Sequence, residues 1–223
     1  MDNVTVLGGW GVEPQILKPI FGENAHYVDI NRLMPYLFDS KKLKADWVDA
    51  AISHIGTIPE KSTIAGWSTG AMIAWAIGQK TNPALLYLLS ATPSFCRTAF
   101  FKHGMRPVIL QNMISAMNKD PQNTLIRFHE RCGLPPKPQI KNKYTKEELI
   151  HGLLFLQQAD LNPVKSIETK SIFLHGKEDM IIPKESAVVF SGIANGIYRE
   201  FKGPHSFFLS CIDEVKKVFS YYN

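Results

Sequence analysis

The segment from Ser62 to Gly78, Ser-Thr-Ile-Ala-Gly-Trp-Ser-Thr-Gly-Ala-Met-Ile-Ala-Trp-Ala-Ile-Gly, constrains this chain more than any other. Ser62 to Ala65 carries the β-branched and small apolar residues of a short buried strand, and the stretch after Gly70 reads as an apolar helix that starts near Thr69. Between them stands Gly66-Trp67-Ser68-Thr69-Gly70. A Gly-x-Ser-x-Gly sequence between strand and helix is a nucleophile elbow, in which the serine occupies a strained turn. The flanking positions are glycine because a Cβ there would collide with neighbouring backbone.

Other strands follow the same logic. Val4 to Leu7 is short and apolar and ends in Gly8-Gly9-Trp10-Gly11, where glycines let the backbone approach a ligand and leave N–H groups free. His26 to Asp29, Leu85 to Ser90, Ser171 to His175 and Gly196 to Phe201 read as further strands; Leu85 to Ser90 is apolar throughout, as a parallel strand covered on both faces would be. Trp47 to Ile55 has the spacing of an amphipathic helix, Glu185 to Phe190 begins another, and Ser210 to Tyr221 closes the chain as a third. Six strands alternating with helices predict an α/β fold with an open, mostly parallel, doubly wound sheet, which binds ligands beyond the carboxyl ends of its strands.

After Pro93 the pattern changes. Arg106 to Lys119 and Asn123 to Arg131 look helical, Gly133 to Pro138 is a proline-dense loop, and Thr145 opens a helix with capping-box spacing and Leu149, Leu153 and Leu156 on one face. No strand interrupts this stretch. Residues 93–163 are therefore expected to form a helical cap, or lid, inserted into a core made of residues 1–92 and 164–223.

Charge is distributed in the same way. The insert holds ten of the 25 Lys/Arg but five of the 20 Asp/Glu, so the remaining 15 of each sign balance and the whole net charge of +5 resides in the insert. With no recognition helix and no exposed aromatics interleaved on a sheet, nucleic acid is not the expected partner; an acidic protein or a phosphate-bearing substrate is. No apolar run is long enough for a bilayer, and the start of the chain has no basic segment before an apolar one, which predicts no membrane association and a cytoplasmic location. Cys96, Cys132 and Cys211 are too few and too scattered for a disulfide framework or zinc site and read as free thiols.

Three chemistry-bearing residues fall on loops after predicted strands in the order Ser68, then an acid at Asp179 or its neighbour Glu178, then His205. Ser…Asp/Glu…His is one of three unrelated chain orders in which the serine triad occurs. A serine hydroxyl is a weak nucleophile near neutral pH, so the histidine must take its proton during attack, and the acid must hold the imidazole in the correct tautomer. The oxyanion needs two N–H donors, expected from the backbones of Thr69 and Trp10, each worth about 3–4 kcal/mol of transition-state stabilisation. His175 is expected to be structural. The remaining histidines show no metal-ligand spacing, and neither a metal nor an organic cofactor is required.

With Gly9-Trp10-Gly11, the elbow, Leu174-His-Gly-Lys-Glu-Asp179 followed by Ile182-Pro183, and Gly203-Pro204-His205, nearly the whole chain resembles the α/β-hydrolases. More narrowly it resembles the BioH-type esterases of biotin synthesis, which demethylate pimeloyl-acyl-carrier-protein methyl ester. The resemblance selects Asp179 over Glu178. It implies a serine carboxylesterase whose basic cap residues, here Arg127 and, one helical turn on, Arg131, receive the acyl-carrier protein. Trp67 and the cap side chains Phe128, Leu153 and Leu156 would line an apolar acyl channel. The two strands that usually precede the first glycine loop are missing, which implies a sheet trimmed to six strands. A general short-chain esterase or thioesterase acting on small-molecule esters, and a non-catalytic ligand receptor on the same scaffold, are the alternative functions.

Overall fold

The computed structural model describes residues 3–135 and 143–222; Pro136 to Pro138 of the expected proline-dense loop lie outside them. Six strands form the main sheet: β1 (Val4–Leu7), β2 (His26–Val28), β3 (Thr63–Trp67), β4 (Leu85–Leu89), β5 (Lys170–Gly176) and β6 (Ile197–Phe201). Their spatial order is β2-β1-β3-β4-β5-β6 and every neighbouring pair is parallel. The order reverses between β1 and β3. Their carboxyl ends, with the glycine loop on one and Ser68 on the other, flank the switch point where such sheets bind ligands.

Alternation along the strands feeds two separate cores. In β4, Leu86 and Leu88 join one cluster with α1 (Trp47–Ile55), α2 (Thr69–Thr81) and the later helix Lys184–Ile193, whereas Leu85, Tyr87 and Leu89 join a second with Phe21 and the C-terminal helix Ile212–Tyr222. That two-sided burial is why the strand is apolar at every position. Helix α2 is buried from Thr69 to Gly78, so it too is apolar around its circumference rather than amphipathic.

Between β4 and β5 lie α3 (Pro107–Lys119), α4 (Pro121–Cys132) and α5 (Lys146–Gln158). Helix α4 starts two residues before the position expected from apolar spacing. Asp120 caps it by accepting from Asn123 N at 3.0 Å, and Pro121 takes the first helical position, where a missing N–H costs nothing. Helix α5 has the reciprocal capping box expected of Thr145 and Glu148.

Two other boundaries differ from expectation. Strand β3 continues past Ala65 to Trp67, because the whole of Thr63 to Trp67 pairs with Leu85 to Leu89 and the ladder closes with Ser68 N donating to Leu89 O at 2.8 Å. The short elements between β2 and α1, including a hairpin of Phe38–Asp39 and Lys42–Leu43, are too brief to leave a periodic signal. Among the described residues no helix is long and apolar enough to cross a membrane.

The elbow demands close approach of backbone. A Cβ on Gly66 would overlap the carbonyl of Gly70, and one on Gly70 would overlap the carbonyls of Leu7 and Gly8. A Cβ on Gly192, in α6 (Lys184–Ile193), meets nothing within 4 Å. In urea unfolding we expect Gly66→Ala and Gly70→Ala to destabilise by about 1–3 kcal/mol or more through overpacking. Gly192→Ala should instead stabilise by about 0.5–1 kcal/mol through helix propensity and a less disordered unfolded chain.

Candidate active site

Ser68 joins the end of β3 to the first turn of α2 with φ 58° and ψ −120°, a conformation that costs a non-glycine residue about 1–3 kcal/mol. The turn swings the serine out of the strand and leaves the N–H of Thr69 at the N-terminus of a thirteen-residue helix, where the macrodipole favours negative charge. Neither this N–H nor that of Trp10 donates to an acceptor among the described residues.

The loop carrying Trp10 is pinned from the core by a residue that sequence reasoning missed. Asn31 is fully buried; its Oδ1 accepts from Gly11 N at 2.7 Å and its Nδ2 donates to Gly9 O and Val12 O, both at 3.3 Å. Its only sequence signal is a carboxamide two residues after the Asp29 that follows β2. Gly8 N completes the attachment by donating to Val28 O.

Asp179 and His205 meet from the loops after β5 and β6. His205 Nδ1 donates to Asp179 Oδ2 at 2.7 Å, and both side chains are fully buried. The other carboxylate oxygen accepts the backbone N–H groups of Ile181 and Ile182 at 2.8 and 2.9 Å. Burial alone would raise the pKa of Asp179. The charge of His205 and its hydrogen bond, then His175 and the Ile182 N–H, outweigh burial and hold it below the usual carboxylate range. Glu178, the neighbouring acid, is exposed.

His205 Nε2 is buried and has no hydrogen-bond partner among the described residues, so the Asp–His half of the constellation is formed while the Ser68 hydroxyl is not bonded to the ring. Catalytic hydrogen bonds are often long before substrate arrives. The carbonyl of His205 is held from two sides, by Trp67 Nε1 at 3.0 Å and Ser90 Oγ at 3.4 Å. His175, fully buried, donates from Nε2 to Ile182 O at 3.1 Å and lies 3.6 Å from Asp179 Oδ2, so it braces the acid loop from inside. Burial lowers its pKa and keeps it neutral.

A cavity of about 590 Å³ opens between α3, α4 and the acid loop. Leu110, Met113, Phe128 and Ile181 give it an apolar wall, and Lys119, Arg127 and Arg131 stand on it as cations. None of these three cations joins a salt bridge among the described residues. Ser68 and His205 are not part of its wall; Met180 and Ile181, next to Asp179, are its border with the catalytic loops.

Trp67 does not line this cavity. It is 1% exposed, with its ring 5.3 Å from that of His205 and edge-on to Phe208, because continuing β3 to Trp67 turns its side chain to the core beneath the histidine loop. Leu153 and Leu156 likewise belong to the packed core under α5. Among the described residues no group of three His, Cys, Asp or Glu could hold a metal ion.

No protein-family model matches the chain. Similar curated proteins are the pimeloyl-[acyl-carrier protein] methyl ester esterase of Pseudoalteromonas atlantica, 32% identical over 207 residues that cover 81% of this chain and 77% of that one, and the enzyme of the same name from Legionella pneumophila strain Corby, 25% identical with 92% and 88% covered. Among solved structures, an esterase from Exiguobacterium antarcticum superposes with a TM-score of 0.79 at 21% identity, covering 98% of this chain and 91% of that one. A bromoperoxidase from Bacillus anthracis gives the same TM-score at 13% identity, covering 100% and 92%. These two likenesses establish the α/β-hydrolase fold.

The buried pair of histidine and carboxylate makes stability depend on pH in a defined direction. His175, depressed in the folded state, contributes stability present above about pH 6.5 and lost as pH falls toward its folded pKa; Asp179, also depressed, contributes stability present above about pH 4 and lost below it. We expect the urea midpoint to fall between pH 7 and 5 and again below pH 4. His175→Gln should flatten the first step while leaving the second.

Proposed function

We infer the reaction from one premise: this chain belongs to the pimeloyl-[acyl-carrier protein] methyl ester esterase family. It is a carboxylic ester hydrolase, and the substrate is the methyl ester of pimeloyl-acyl-carrier protein, as the relatives' names state for them. The observation that carries the mechanism is the buried 2.7 Å bond between His205 and Asp179, with the second imidazole nitrogen without a partner among the described residues and an elbow serine ending β3.

In the proposed reaction Ser68 Oγ attacks the ester carbonyl carbon while its proton passes to His205 Nε2. Asp179 stays ionised and stabilises the imidazolium. The carbonyl oxygen gains the negative charge and accepts from the N–H groups of Trp10 and Thr69, two donors in a water-poor site that need no reorganisation as charge develops. Collapse of the tetrahedral intermediate breaks the bond to the methoxy oxygen, which takes the proton from His205 and leaves as methanol. Water then gives a proton to His205 and attacks the acyl-enzyme; the bond to Ser68 Oγ breaks as His205 returns the proton to it, releasing pimeloyl-acyl-carrier protein as the free acid.

The cavity supports a carrier-borne substrate. Its apolar wall suits an alkyl chain, and Lys119, Arg127 and Arg131 suit the phosphate of a pantetheine arm or the acidic surface of its carrier protein. A small free ester would have no use for these cations.

The test is hydrolysis of methyl pimeloyl-acyl-carrier protein beside a short p-nitrophenyl ester. We expect Ser68→Ala to abolish both activities, a loss on the order of 10⁶ in kcat. Arg127→Ala with Arg131→Ala should lower kcat/KM for the carrier substrate about ten-fold and leave the p-nitrophenyl ester within two-fold. Equal effects on both substrates would remove the docking role from the cap, and a wild type that turns over neither would make the protein a receptor.

A further inference from the structure

The oxyanion reading asks only for the backbone of Trp10, yet the most constrained part of that residue is its side chain. The indole is 1% exposed, and its Nε1 donates to Leu149 O, in the first turn of α5, at 2.8 Å. It occupies the space above Gly152, where any Cβ would overlap it, and it meets Phe128 of α4 edge-on at 4.7 Å. One residue further along the loop, Gly11 O accepts from His129 Nε2, also of α4, at 2.8 Å. The loop thus hangs from two helices of the insert on one side and from Asn31 on the other.

We propose that the insert sets the oxyanion hole, with the Trp10 indole and His129 as positioning residues that fix the Trp10 N–H through α5 and α4. This rests on the reading of Trp10 N–H as an oxyanion donor and adds to it the source of the donor's position. Asn31 fixes the Gly9 carbonyl and the Gly11 N–H, and His129 fixes the Gly11 carbonyl. The Trp10 N–H shares a planar peptide with the Gly9 carbonyl that Asn31 holds, and the indole anchor on α5 sets where the Trp10 Cα, and with it that plane, stands relative to the elbow. The anchor on Leu149 O is buried, so water cannot replace it. Helix α4 also presents Arg127 and Arg131 on its exposed side. A carrier protein seated there presses on the same helix that holds the oxyanion loop, and docking reaches kcat as well as KM.

Four variants test this with a p-nitrophenyl ester that never touches the cap cations: Trp10→Phe, which keeps a ring but loses the N–H; His129→Leu; His129→Gln, which keeps a donor; and Ser68→Ala. The expected result for Trp10→Phe and His129→Leu is a fall in kcat of about ten- to a hundred-fold with KM within two-fold, since a donor displaced by a fraction of an ångström loses transition-state contact and not substrate binding. Affinity for a trifluoromethyl ketone, whose hemiketal carries the oxyanion, should fall by the same factor, while inhibition by the free acid product stays unchanged. His129→Gln should recover most of the loss. Unchanged kcat in Trp10→Phe and His129→Leu overturns the proposal, as does a loss that Gln does not recover or that ketone affinity does not follow. Turnover surviving in Ser68→Ala overturns instead the serine-esterase reading that gives the Trp10 N–H an oxyanion to bind.

Discussion

Everything in this molecule is arranged to tolerate one unfavourable backbone conformation. Ser68 sits at positive φ between β3 and α2, and its side chain makes no cap hydrogen bond there among the described residues. It is held by the ladder on one side, where Ser68 N donates to Leu89 O, and on the other by a helix buried from Thr69 to Gly78. The contact between Gly66 and Gly70, and between Gly70 and the carbonyls ending β1, exists only because no side chain intervenes. Those two close approaches bring the elbow and the first glycine loop together, so the same packing that strains the serine also brings together the two N–H groups proposed as oxyanion donors. Strain stored in this way must be over-determined by its surroundings, and the two hydrophobic clusters on either face of the sheet provide that.

The histidine and acid loops obey a second version of this rule. Each polar group of the proposed acid–base pair is presented by neighbours that are themselves locked: Asp179 by two backbone N–H groups and by His175, and His205 by Trp67 and Ser90 holding its carbonyl. A buried carboxylate with this many donors remains ionised despite its burial, which is what an imidazolium-stabilising group requires.

Most of the sheet was legible in the sequence because its determinants are local and periodic. Strands covered on both faces leave unbroken apolar runs, and a glycine-flanked serine between strand and helix has few structural meanings. The positions of Ser68, Asp179 and His205 at strand ends follow from the same pattern. Asn31 was not legible, since a lone carboxamide after a strand is ordinary until the loop it holds is folded over it. Trp67 misled for a related reason: it adjoins the nucleophile in sequence, but alternation along β3 turns it to the opposite side of the sheet, where it supports His205. The role of the Trp10 side chain depends on two helices more than a hundred residues away, a distance at which sequence pattern carries no signal.

Helix α4 ends on the core as firmly as it holds the loop of Trp10. Its last carbonyl, that of Cys132, accepts Ser206 N at 3.0 Å, and the next, that of Gly133, accepts Ser206 Oγ at 3.0 Å, both from the residue beside His205. One side of the helix is therefore committed to the machinery, while Arg127 and Arg131 face outward with no ion-pair obligation within the described residues. Substitutions on the outer side leave the loop contacts in place, whereas those on the inner side disturb them. If the proposed docking holds, the helix divides heritable variation into a half that changes the clientele and a half that is inherited with the chemistry. A lineage could acquire new carriers by drift on a single surface while its catalytic loops stayed the same.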